Sequence, residues 1–171
     1  MDLKINGAIK SAEELVKSLN EATEDVTLVI NSPGGSVLEG LQVVNAIRNC
    51  KQKVTAKVEV MACSMAGVVA LACHRLIMHK DDLLMLHNCM SYAEGNKEEI
   101  ANAIESMKAI DAVLHSIVME HAKDKTLDAR IDNGEVWITG EKAAAMFDHV
   151  TIEEAAKKPD MVAVAGFAGV I

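Results

Sequence analysis

Several features are scarce in this chain of 171 residues, and each scarcity closes off a class of function. Positive charge is the minority: 17 Lys plus Arg stand against 25 Asp plus Glu, a formal net charge of -8, which argues against a surface that tracks nucleic-acid phosphates. No apolar run reaches the ~20 residues of a membrane span; the longest, Val60 to Cys73, is interrupted by Ser64. No CxxC pair occurs among Cys50, Cys63, Cys73 and Cys89, and three of these lie in apolar runs, as free thiols of a reducing compartment do. The start, Met1-Asp2-Leu3-Lys4, carries no apolar stretch behind its basic residue, so neither secretion nor membrane insertion is expected. Neither GxGxxG nor a GxxxxGK phosphate loop is present, and no HExxH or other metal-ligand spacing occurs, so no cofactor and no metal is expected. Aromatic residues are only 2%, while 50% hydrophobic and 25% charged residues keep the chain in the soluble globular class.

What is present reads as strands alternating with helices. Leu3 to Ile5 alternates around a charge as a short strand does. Ser11-Ala12-Glu13-Glu14 has the form of a capping box, with Leu15, Val16 and Leu19 on the apolar face of the helix it opens. Val26 to Ile30 is polar only at Thr27, the pattern of a strand covered on both faces. Ser36-Val37-Leu38-Glu39 is a second capping box, followed at helical spacing by Leu41, Val44 and Ile47. Val54 to Val60 predicts the next strand, and Ser64 to Ala72 a small-residue helix that must be nearly buried. Leu76-Ile77-Met78 and Leu83-Leu84-Met85-Leu86, joined by His79 to Asp82, have the form of an antiparallel hairpin.

From Asn96 to Ala122 neither Gly nor Pro interrupts, and Ile100, Ala103, Met107, Ile110, Leu114, Ile117 and His121 alternate steps of three and four. This predicts a helix ~40 Å long whose seam either packs against another subunit or faces the core. Val136-Trp137-Ile138 predicts a last short strand, and Thr139 the N-cap of a helix through Met146. The class is therefore α/β, with one domain over 1–150 and a C-terminal helix and apolar tail over 151–171. The uncharged stretch Met161 to Ile171 reads either as a docking tail or as the cut end of a longer chain.

Three places could carry chemistry. Pro33-Gly34-Gly35 follows a buried strand, and its glycines permit positive φ and leave backbone N–H groups open to a ligand oxygen; the same residues also suit a plain strand-to-helix turn. Ser64, within Met61-Ala62-Cys63-Ser64-Met65-Ala66-Gly67, stands where a strand gives way to an apolar helix, beside the N–H of Met65; serine is also a common N-cap. His87 ends the strand Leu83 to Leu86 and opens the polar segment Asn88-Cys89-Met90-Ser91. Together these supply a nucleophile, a base and oxyanion donors, the parts needed for acyl transfer.

Asn31-Ser32-Pro33-Gly34-Gly35, Ala62-Cys63-Ser64-Met65-Ala66 and Leu86-His87, in that order, resemble the ClpP family of serine peptidases. Glu135-Val136-Trp137-Ile138-Thr139-Gly140-Glu141-Lys142-Ala143, closing at Phe147-Asp148, resembles the family's last strand and helix, and is most similar to the ClpP-like head-maturation (prohead) proteases of tailed phages through its Glu-x-Trp pattern. The resemblance covers about Leu3 to Val150. It implies the ClpP/crotonase fold of stacked ββα units, with the long helix as the handle through which rings pair. It also implies Ser64 as nucleophile, His87 as general base, Gly35 and Met65 as oxyanion N–H donors and Glu135 as the acid that orients His87.

The sequence departs from the family at three points. Glu135 stands where ClpP has aspartate, leaving Asp132 as a rival acid. Val60 replaces a glycine that usually precedes the serine motif, and Asn88-Cys89 replaces the usual residues after the histidine. A peptide is expected to lie extended between Gly34-Gly35-Ser36-Val37 and Asn88-Cys89-Met90, adding a strand to the fold. Because the chain begins almost at the first core strand, it is expected to act without a Clp-type ATPase, as a homo-oligomeric ring or double ring in a bacterial or phage-infected cytosol. The implied function is a serine endopeptidase that processes capsid or scaffold proteins. The alternatives are a crotonase-type acyl-CoA enzyme and a non-enzymatic ring subunit of the same fold.

Overall fold

The computed structural model describes residues 1–154. Their elements run β1 (Asp2–Asn6), α1 (Glu13–Asn20), β2 (Val26–Ser32), α2 (Val37–Asn49), β3 (Val54–Cys63), α3 (Met65–Leu71), β4 (Arg75–Met78), β5 (Leu83–Leu86), α4 (Lys97–Met119), α5 (Leu127–Asp132), β6 (Val136–Thr139), α6 (Gly140–Met146) and β7 (Val150–Ile152). Parallel strands in the order β1-β2-β3-β4-β7 form the main sheet, while β5 pairs parallel with β3 and antiparallel with β6. This is the mixed α/β architecture expected of a ClpP-type fold. The sheet continues through β7 to Ile152, and the expected C-terminal helix and tail fall largely on residues 155–171, outside the described residues.

A parallel sheet must be covered on both faces because its crossover helices pack there. Leu28, Ile30, Ala56 and Val58 are accordingly sealed from solvent, and every residue of α3 is buried. The expected small-residue helix thus sits in the core. Its fit is close: a Cβ on Gly67 would meet Ala62 O at 3.1 Å and the Leu86 side chain at 3.2 Å.

The expected hairpin does not form. β4 and β5 lie in tandem along the same edge of β3: Thr55 to Lys57 pair with Arg75 to Ile77, and Met61 to Cys63 pair with Leu83 to Met85. Asp82, 7% exposed, explains the difference. Its carboxylate accepts from His79 N at 2.7 Å and from Val60 N at 3.1 Å, and its carbonyl accepts from Gly140 N at 2.9 Å. The short connection is thereby turned forward along β3 instead of back on β4.

Capping differs in detail. The box at Ser11 does not form: Ala12 is the N-cap of α1, and its N–H donates to Glu39 Oε2 at 2.7 Å. Ser36 does cap α2 by accepting from Glu39 N at 3.4 Å, but the Glu39 carboxylate serves α1 instead of closing its own box. One glutamate therefore orders the starts of two helices. The long helix begins with a complete capping box between Asn96 and Glu99 and spans 23 residues. Leu114, Ile117 and Val118 are buried in its second half, whereas Ile100, Ile104 and Val113 are exposed at 40%, 48% and 48%. Helix α5, between α4 and β6, has no counterpart in the sequence expectations; its six residues bury only Leu127 and Ile131, too short a stretch for a helical period to stand out.

Candidate active site

The site forms where β2 and β3 end, and an irregularity in β3 creates it. Ile30 pairs with Val58, but the next pairing is Ser32 with Ala62, so two steps along β2 match four along β3. Val60 takes up the excess with φ +79 and is 59% exposed. Bulges bend a strand and re-aim the residues beyond them. Ser64 is re-aimed in this way; at φ 54 and ψ -128 it makes the turn from β3 into α3. A side chain at such angles is held only when its surroundings enforce it. Here Ser64 N donates to Met85 O at 2.7 Å, tying the corner to the end of β5.

His87 leaves the end of β5, and its Nε2 lies 2.7 Å from Ser64 Oγ, with both residues half-buried. That is the geometry in which an imidazole takes a hydroxyl proton. The candidate nucleophile and base, 23 residues apart in sequence, are thus brought into hydrogen-bond contact.

The glycine turn closes against them. A Cβ on Gly34 would sit 2.7 Å from Ser64 Cβ and 2.7 Å from Cys63 O, and Gly34 itself has φ +98, so only glycine lets β2 approach the serine corner. Ile9 fixes the turn from outside: Ile9 N donates to Gly34 O at 2.8 Å, and Ser36 N donates to Ile9 O at 2.9 Å. In a parallel bridge of this kind the N–H of Gly35 faces the opposite edge. Among the described residues neither Gly35 N nor Met65 N has a hydrogen-bond acceptor. Ser32 Oγ, fully buried, accepts from Gly34 N at 3.1 Å and braces the loop.

The segment after His87 is anchored to the long helix. Asn88 Oδ1 lies 2.7 Å from His115 Nε2, and His115 Nδ1 lies 2.7 Å from Asp128 Oδ1. Cys89 N donates to Asp111 Oδ1 at 2.6 Å. Burial, with the Asp111 carboxylate beside it, pushes the Cys89 thiol up to about 11, so it is a poor rival nucleophile at neutral pH. A cavity of about 90 Å³ touches Ser64, Met65, Val68, His87 and Leu114. It adjoins a groove of about 400 Å³ between Gly35-Ser36-Val37 and Cys89-Met90, floored by α4 at Met107 and Ile110. Another hollow of similar volume lies between β1 and α1, along Ile5, Lys10 and Leu15; the Ser64–His87 pair is elsewhere, and chemistry rather than volume selects the site.

Of the residues singled out from the sequence, Gly34, Gly35, Ser36, Val37, Ser64, Met65, His87, Asn88, Cys89 and Met90 surround this one cleft. The acids do not join them. Glu135 is exposed, and its Oε2 accepts from Trp137 Nε1 at 3.0 Å. Asp132 Oδ1 accepts from Asn88 Nδ2 at 3.4 Å and lies 3.9 Å from His115 Nε2. Among the described residues no carboxylate reaches His87 Nδ1. The last antiparallel pair of β5 and β6 is Leu86 with Val136, the residues next to His87 and Glu135 in the chain.

A family model described as Clp protease matches residues 6–150. The chain belongs to the Clp protease family. Among curated Clp proteins it is 30% identical over 128 residues to the ATP-dependent Clp protease proteolytic subunit of Carsonella ruddii (strain PV), covering 70% of this chain and 66% of that protein. It is 28% identical over 136 residues to the subunit of that name from Bacteroides fragilis (strain ATCC 25285), covering 77% and 66%. It is 29% identical over 141 residues to that from Leuconostoc citreum (strain KM20), covering 78% and 70%. The matched region thus spans about two thirds of the length of these Clp relatives. No helix among the described residues is long and apolar enough to cross a membrane.

Proposed function

We propose that this Clp-family chain is a serine endopeptidase in which Ser64 attacks the scissile carbonyl and His87 takes and returns the proton. The observation that carries the reading is the 2.7 Å contact between Ser64 Oγ and His87 Nε2 on a strained strand-to-helix corner. An extended peptide lies between Gly35-Ser36-Val37 and Asn88-Cys89-Met90, with its scissile carbonyl oxygen held by the N–H groups of Gly35 and Met65. The first specificity pocket is the small cavity lined by Met65, Val68 and Leu114, which favours an apolar side chain. Glu135 completes the triad by turning its carboxylate from the Trp137 indole to His87 Nδ1, fixing the tautomer that leaves Nε2 free to accept.

The chain is further proposed to assemble with copies of itself through α4, whose Ile100, Ile104 and Val113 are exposed along one helix. Its substrates are proposed to be capsid or scaffold proteins, on the strength of the Glu135-x-Trp137 pattern, and cleavage is proposed to need no Clp-type ATPase. Stimulation of turnover by such an ATPase overturns that last point.

The test is Ser64→Ala, assayed with a quenched-fluorescence peptide mixture beside light scattering. The variant is expected to lose turnover by on the order of 10⁴–10⁶-fold while assembling as the parent does. Undiminished cleavage overturns the reading. Parent protein that assembles but cleaves nothing favours a non-enzymatic ring subunit.

A further inference from the structure

A second group of reactive side chains lies at the far end of α3 from Ser64. His121 follows the end of α4, and Asp148 and His149 lead into β7. The backbones of the two segments are pinned to one another: Asp148 N donates to His121 O at 3.0 Å, Lys123 N donates to Met146 O at 2.8 Å, and Ala122 and Phe147 form an antiparallel bridge. On this frame one carboxylate oxygen gathers two imidazoles. Asp148 Oδ1 is 2.9 Å from His121 Nδ1 and 3.7 Å from His149 Nδ1, and one ligand atom from each residue falls within 4.8 Å of the others.

His149 is the telling member. Its side chain is only 6% exposed, yet among the described residues neither ring nitrogen has a hydrogen-bond partner. The Leu71 backbone is close by but not in hydrogen-bond geometry. The ring lies against the His121 ring, with centroids 3.9 Å apart, and meets the Phe147 ring at a right angle, with centroids 6.5 Å apart, so it is packed in place with Nδ1 3.7 Å from Asp148 Oδ1. Buried polar groups are ordinarily satisfied, and an exception calls for an explanation.

We propose that His121, Asp148 and His149 bind a divalent first-row transition cation such as Zn²⁺, which ties the end of α4 to the start of β7. Two neutral imidazoles and one carboxylate suit a borderline cation of the zinc group, whereas calcium and magnesium take oxygen ligands. Three protein ligands leave a fourth position for water. The cation meets the need of the buried His149 nitrogen facing Asp148, and it joins segments whose ligands are 27 residues apart. This departs from the expectation of no metal site, which rested on local spacing; three ligands assembled from two segments have no such signature. The proposal is independent of the peptidase reading.

The test titrates chelator-treated full-length protein with Zn²⁺ by calorimetry and with Co²⁺ by visible absorption, comparing the parent with Asp148→Asn and His149→Phe. Asp148 is exposed, so its variant retains the fold, and phenylalanine keeps an aromatic ring at the buried position. One cation per chain is expected, with Co²⁺ ligand-field bands, and each variant is expected to bind at least ten-fold more weakly. Equal binding by parent and both variants overturns the proposal, since the cation then sits on other histidines. So does the absence of binding to the parent.

Discussion

The two halves of β3 share one strand and differ in almost everything else. From Val54 to Val58 the strand pairs without a break with β2, and every second residue is fully buried. From Glu59 to Cys63 it exposes Glu59 and Val60, exchanges β4 for β5 as its neighbour and passes through Val60 at positive φ, before Ser64, also at positive φ, turns the chain into α3. The first half obeys the rules of a parallel sheet, and the second departs from them just before Ser64, the proposed nucleophile. Strain of this kind costs ~1–3 kcal/mol at each position. The regular half, together with the Asp82 and Met85 hydrogen bonds, offsets it.

That contrast can be sharpened by substitution. After loss of Ser64 or His87, the largest effect is expected at Glu135, the proposed third member of the triad, where Glu135→Gln should lower kcat by on the order of 10²–10⁴-fold. Asp132→Asn should change kcat by less than about ten-fold, because its partners are Asn88 and His115; steady-state turnover of both variants checks the order, and a reversed order moves the acid to Asp132.

Gly34→Ala comes next. Its Cβ has no room beside Ser64, so the serine must move off His87, with a loss of about 10²–10³-fold in kcat.

In the regular region the effect should fall on stability alone. Leu28→Ala, fully buried opposite Ala56, is expected to cost ~2–5 kcal/mol in denaturant unfolding. The folded fraction should keep its turnover. The smallest effect is expected from Val60→Gly: relief of ~1–2 kcal/mol of positive-φ strain is set against ~0.5–1 kcal/mol of added chain entropy. The midpoint of thermal unfolding should therefore rise slightly, and a fall would show that the valine is not strained there.

The same contrast marks what could be read from the sequence. The buried strands, the Ser36 cap, the long helix and its Asn96 start follow local rules, because periodicity and capping report on neighbours within a few residues. Gly34, Ser64 and His87 could be singled out because each stands at an element boundary with a chemically apt side chain.

The features that sequence does not reveal depend on contacts across the fold. The tandem placement of β4 and β5 turns on the Asp82 side chain reaching Val60, and the lost cap at Ser11 on Glu39 crossing to Ala12. The partnership of Glu135 with Trp137, two residues on along an exposed edge, is masked because both residues also fit the family pattern, which pairs the acid with His87. The grouping of His121 with Asp148 and His149 arises only once α4 and β7 are docked.

The most direct measurement is labelling of the purified protein with a fluorophosphonate, its assembly state followed by light scattering, with mass-spectrometric mapping of the modified residue. A serine whose hydroxyl is deprotonated by a neighbouring imidazole reacts, whereas an ordinary N-cap serine does not. The account predicts a single adduct at Ser64, abolished by His87→Ala. Absence of any adduct in an assembled protein, or labelling undiminished by loss of His87, would contradict it.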